Sequence, residues 1–145
     1  MTAQASLEIP AIDQPARSTG PNFAILSAPQ LRARVSRPHQ DALVVAVDGE
    51  VDAASVEHLR EVLWPRLSAT VGTLVVELTG VDFLGVAGLQ LLHRAHLSAQ
   101  SRGLAMTLVF DGGEVERAVH VAGLDEDVAC FSTAEHALRA LDGQS

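Results

Sequence analysis

The residues whose types and spacing could do chemistry are few: the histidines His93 and His96, and two acidic groupings, Glu50 with Asp52 and Asp125-Glu126-Asp127. Two histidines three apart on a helix could hold a metal, yet no cysteine or acid follows at a spacing that would complete a zinc site. Solvated side chains are therefore the expectation for both, and surface positions for His58, His120 and His136. The acids could serve magnesium or general acid work. Turns and helix caps explain them more simply, since aspartate is favoured at both. Glu77 is the exception, because it interrupts an apolar run near the carboxyl end of a predicted strand, where open sheets place ligands. Its first reading is a structural hydrogen bond, and its second a share in a binding surface with Asp52. No serine sits in a Gly-x-Ser-x-Gly elbow, and Cys130, the lone cysteine, has no partner for a bridge or a redox pair. The chain is thus expected to be no enzyme and to carry no cofactor and no metal.

The stretch Val81 to Leu92 reads VDFLGVAGLQLL. A buried strand over Thr73 to Leu78 is predicted to enter a short turn and then a helix from Val86 to Ser101. The helix opens on Gly85, Val86, Ala87 and Gly88, none of which offers a hydroxyl, thiol, carboxylate or imidazole. Glycines there admit another molecule close to the backbone, and the free N–H groups of a helix start attract negative charge. Winding the helix at 100° per residue turns Ala87, Gly88, Leu91, Leu92, Ala95 and Ala99 toward the sheet. Val86, Gln90, His93, Leu97 and Gln100 face the other way, with Leu89 at the margin. Apolar residues among polar ones on an outward face predict a protein contact surface.

The remaining elements must position that face. Leu31 to Ser36 alternates apolar and basic residues, and Ala42 to Val47 is continuously apolar, which predicts an antiparallel hairpin turning at Arg37 to Asp41. Asp52 is placed to cap a helix through about Trp64 by accepting the Ser55 amide, with Val56, Leu59, Leu63 and Leu67 inward and Pro65 ending or kinking it. Strands follow at Leu104 to Phe110 and Val128 to Phe131, separated by a helix over Glu114 to Ala122. A last helix to about Leu141 starts at a capping box, Ser132 with Glu135. The fold class is α/β: one domain with a mixed, mostly parallel sheet of about five strands, an N-terminal antiparallel hairpin and about four flanking helices. Residues 1–29, with Pro10, Pro15, Pro21 and Pro29, read as a flexible arm, residues 30–141 as the domain and residues 142–145 as a disordered tail.

Composition narrows the partners. A net charge of −8 argues against a surface that tracks nucleic-acid phosphates, and an aromatic content of 3% leaves few platforms for base stacking. No apolar run approaches the roughly 20 residues of a membrane span, and the N-terminus lacks a signal-peptide pattern. A cytoplasmic protein without membrane insertion or direct nucleic-acid contact is expected, with a homodimer left open.

Three patches in order resemble the STAS domain, the family of bacterial anti-sigma factor antagonists. They are Gly49-Glu50-Val51-Asp52; the run from Glu77 to Leu84 with Gly88 and Leu89; and Gly123-Leu124-Asp125 with the Ser132 to Leu138 helix start. The resemblance covers about Leu31 to Leu141. It implies a non-catalytic module that binds a kinase-type anti-sigma factor and releases a sigma factor. In such proteins the junction usually reads Asp-Ser-(Ser or Thr)-Gly-Leu, and the first serine is phosphorylated by that partner. Aligned without gaps, Gly85 stands at the aspartate, Val86 at the phosphorylated serine and Ala87 at the next hydroxyl residue. Valine cannot accept phosphate, so the approximately −1.5 to −2 charges of a phosphoserine cannot be placed here. Thr79, the nearest hydroxyl, corresponds to a fixed part of the turn and is not expected to substitute. The resemblance implies a partner surface of Gly85, Val86, Ala87, Leu89, Gln90, His93 and Leu97, with Glu50 and Asp52. STAS units that grip the ATPase of a lipid transporter are the alternative.

Overall fold

The computed structural model describes residues 23–28, 30–69 and 72–144. Six strands form one sheet in sequence order: β1 (Phe23–Ala28), β2 (Leu31–His39), β3 (Ala42–Val51), β4 (Thr73–Leu84), β5 (Ala105–Val109) and β6 (Ala129–Phe131). The first two pairings are antiparallel and the other three parallel. The α-helices are α1 (Val56–Ala69), α2 (Val86–Ser101), α3 (Gly113–Val121) and α4 (Ala134–Gln144). The expected hairpin is β2 with β3, and the parallel α/β order follows it. No helix among the described residues is long and apolar enough to cross a membrane.

Strand alternation divides the core into two layers. Leu43, Val45 and Val47 of β3 and Leu74, Val76 and Leu78 of β4 turn to one face, where they pack with Leu59 and Leu63 of α1, Leu92 and Ala95 of α2, and Val119 of α3. The intervening Val44, Val75 and Val109 meet Ala137 of α4 on the other face. Three helices therefore cover one side of the sheet, and α4 lies on the opposite side.

Several boundaries differ from the sequence reading, each for a tertiary reason. Phe23–Ala28 lies within the segment expected to be a flexible arm, yet it pairs antiparallel with β2 from Phe23↔Ser36 to Ala28↔Leu31. The neighbouring strand supplies the backbone partners that propensity alone does not reveal, and the sheet gains a strand beyond the expected five. Residues 1–22 and 29 of that segment lie outside the described residues. Pro65 does not end α1, which continues to Ala69. Leu67, 1% exposed, is buried by the last turn, and that burial, worth about 1.5–3 kcal/mol, offsets most of the roughly 3 kcal/mol that an interior proline costs. The cap of α4 is Thr133, whose hydroxyl accepts the His136 amide at 3.0 Å, and not Ser132. Helix α4 reaches Gln144, so residues 142–144 are helical, contrary to the expected tail; Ser145 lies outside the described residues.

Candidate functional site

Strand β4 does not stop at Leu78. It pairs with β3 as far as Val51↔Leu84, through two register shifts, and leaves Gly85 as the single residue between strand and helix. Gly85 has φ −87° and ψ −178°, an extended conformation open to any residue, and α2 has no side-chain cap at its start. The Gly85 amide donates to the Val51 carbonyl at 2.9 Å. The junction is thereby tied to the Gly49–Asp52 turn by backbone.

That turn is built by local hydrogen bonds. Asp52 Oδ1 accepts the Ala54 and Ser55 amides, each at 3.0 Å, as the capping argument requires. The Ser55 hydroxyl donates to the Glu50 carbonyl at 2.7 Å and accepts the Asp52 amide at 3.0 Å. Gly49 has φ +109°, and a Cβ there would collide with the Gln30 carbonyl oxygen, so only glycine suits the position. Asp52, half-buried, holds the turn, while the Glu50 side chain is exposed.

The two junction glycines were expected to admit another molecule. Gly88 instead admits its own sheet: a Cβ there would stand 2.6 Å from Val51 Cγ1 and 2.7 Å from Leu84 Cδ1. The space beside Gly85 holds the Phe83 ring, 3.0 Å from a would-be Cβ. Close packing of α2 on the strand ends turns the next residues outward.

Val86 is 69% exposed, Phe83 and Leu97 are each 49% exposed, and Leu89 is half-buried. An apolar groove of about 690 Å³ opens here. One wall is Phe83, Val86 and Leu89, and the other, which the sequence reading missed, is Ala118 and Val121 of α3 with Ala122 just after it. Leu124, of the 3-10 turn Leu124–Glu126, also lines it. Leu84, Gly85, Gln90, His93 and Asp127 complete the lining, and His93 Nε2 lies 4.0 Å from Asp127 Oδ2. Ala87, Leu97, Glu50 and Asp52 do not line the groove. The signal for the second wall was Val121, an apolar residue ahead of the Ala122-Gly123 helix end.

The other candidates disperse. His96 is buried at 9% exposure with Nδ1 unpartnered, against the expected solvation, because it lies on the buried side of α2 with Leu92, Ala95 and Ala99. Glu77 accepts the Thr79 hydroxyl at 3.3 Å, and strand alternation from Val75 sets it on the face that α4 shares. Burial and the neighbouring charge of Asp125 push the Cys130 thiol up to about 11, and its Sγ donates to the Val128 carbonyl. Among the described residues no three His, Cys, Asp or Glu side chains converge as a metal site would need.

Comparison with known proteins agrees with this architecture. Residues 33–137 match the STAS domain model. The anti-sigma-F factor antagonist RsfB of Mycobacterium tuberculosis is 29% identical over 118 residues, 81% of this chain and 96% of the relative. The anti-sigma-F factor antagonist RsfA of the same organism is 30% identical over 104 residues, 70% of this chain and 81% of the relative. The crystal structure of an anti-sigma factor antagonist from Mycobacterium paratuberculosis superposes with a TM-score of 0.68 at 29% identity, covering 79% of this chain and 97% of that one. With residues 33–137 matched by the family model, this chain belongs to the STAS domain family.

Proposed function

We propose that this protein is a cytoplasmic anti-sigma factor antagonist that works by docking alone, without the usual phosphorylation switch. The observation that carries the reading is Val86, exposed at the first turn of α2 on an apolar wall, in a chain similar to proteins named antagonists of anti-sigma-F factor. Its side chain costs water contact in the free protein and is rewarded when a partner covers it. Gly85, Val86, Leu89, Gln90, His93 and Leu97 form the contact stripe, with Ala87 beside it. The Gly49–Asp52 turn supports the stripe through the Val51 carbonyl, and Glu50 stands at its edge.

The partner in this reading is a kinase-type anti-sigma factor. With hydrocarbon where a serine would accept phosphate, binding follows the concentrations of the two proteins and not the ATP supply. The test is calorimetric titration against each purified anti-sigma factor of the encoding organism, with and without ATP. One of them is expected to bind with an affinity unchanged by ATP, and Val86→Asp is expected to weaken it at least tenfold by placing a charge in an apolar contact. Mass spectrometry after incubation with ATP is expected to show no added phosphate. Absence of any binding partner among them, or capture of a transporter ATPase in their place, would refute the reading, and a stoichiometric phosphate on Thr79 would restore the switch.

A further inference from the structure

The groove has two walls, and the docking stripe on α2 accounts for one. Val121 of α3 is 79% exposed, the most exposed of the large apolar side chains at the site, and it faces the same opening as Val86 and Leu89. Burial against the sheet does not explain it, since Val115 and Val119 perform that task for α3. A branched hydrocarbon left in water beside an apolar groove is the feature that association covers.

The charges around the opening have one dominant sign. Asp127 lines the groove, and Asp125 and Glu126 are exposed in the adjoining turn. Asp125 and Asp127 each face a histidine, His120 at 3.2 Å and His93 at 4.0 Å. Arg117, one residue before the wall residue Ala118, has its charge 3.6 Å from Glu114. The whole chain carries −8, so the rim continues the general field and does not oppose it.

We infer that the groove between α2 and α3 receives an amphipathic helix of the anti-sigma factor, whose apolar residues insert between Leu89 and Val121 while flanking lysines or arginines meet Glu126 and Asp127. This rests on the docking reading above and adds the second wall, the shape of the inserted element and the sign of its charge. An apolar groove with an acidic rim selects that pattern, because apolar anchors supply affinity and opposite charge supplies orientation and encounter rate. A partner helix with acidic flanks is repelled by the same rim.

The experiment titrates the anti-sigma factor found to bind the parent chain against Val121→Asp, Glu126→Lys and Val86→Asp, at about 50 and 300 mM salt. Both Val121 and Glu126 are exposed, and equal melting temperatures establish that the variants fold. Val121→Asp is expected to weaken binding about tenfold or more. Glu126→Lys is expected to weaken it several-fold and to flatten the salt dependence, which in the parent falls as salt rises. Binding of Val121→Asp within twofold of the parent, while Val86→Asp abolishes it, would overturn the two-walled groove and leave docking through α2 standing. Tighter or unchanged binding by Glu126→Lys would overturn the cationic flank. No binding by the parent chain is the different result that removes the functional reading itself.

Discussion

A Cβ placed on Gly88 would stand 2.6 Å from Cγ1 of Val51, the residue whose carbonyl accepts the Gly85 amide. Helix α2 thus sits on the ends of β3 and β4 at a distance that tolerates hydrogen but not methyl. Val51 is fully buried and branched at Cβ, so it has little freedom to turn aside. Gly88→Ala would gain about 1 kcal/mol of helix propensity and lose about 1–3 kcal/mol to overpacking. The expected outcome is a lower melting temperature together with weaker partner binding, since displacing α2 moves Val86 and Leu89 as well. A melting temperature above the parent's would show that the contact is soft.

Asp52 supports the same junction from the other side. Its Oδ1 holds two amides ahead of α1, and Asp52→Ala is expected to cost about 1 kcal/mol, a fall of a few degrees in melting temperature for a domain of this size. Asp52→Asn retains a side-chain oxygen as acceptor and is expected to recover most of that loss. An alanine variant as stable as the parent would mean that the Ser55 hydroxyl, bonded to Glu50 and Asp52, suffices to hold the turn.

Pro65 stands exposed within α1, where it denies the helix one backbone donor. Pro65→Ala restores the amide and relieves the ring's crowding of the preceding turn. The greater freedom that alanine brings to the unfolded chain offsets part of this gain, so a net stabilisation of about 1 kcal/mol is expected in denaturant unfolding. A loss of stability would show that the fixed φ of Pro65 helps α1 seat Leu67.

The Cys130 thiol, raised to about 11 by burial and by Asp125, is protonated throughout the neutral range. Two units above the ordinary value of 9.0 corresponds to roughly a hundredfold less thiolate at pH 8. Alkylation of the folded protein is therefore expected to be about a hundredfold slower than that of the denatured chain. The folded state holds this proton more tightly than the unfolded state, so its contribution to stability is complete below about pH 9 and is lost as pH rises toward 11. Cys130→Ser is expected to reduce the decline in stability over that window, measured by urea midpoints.

Local pattern determined much of this protein. The alternation in Leu31 to Ser36 and the apolar run Ala42 to Val47 specified a hairpin, the 3.6-residue period from Val86 onward specified α2 and its outward stripe, and the order of elements specified a mostly parallel sheet, because each signal is written within one segment. The inert junction was equally legible, since side-chain chemistry is a property of residue type. Tertiary contact decided the rest. Phe23–Ala28 is a strand because β2 offers it partners, α1 passes through Pro65 because Leu67 has a core to enter, and Gly88 serves Val51 and not a ligand because the helix rests on strand ends. The groove's second wall is the clearest case. Val121 lies 35 positions after Val86, and only the packing of α3 beside α2 brings the two to one opening.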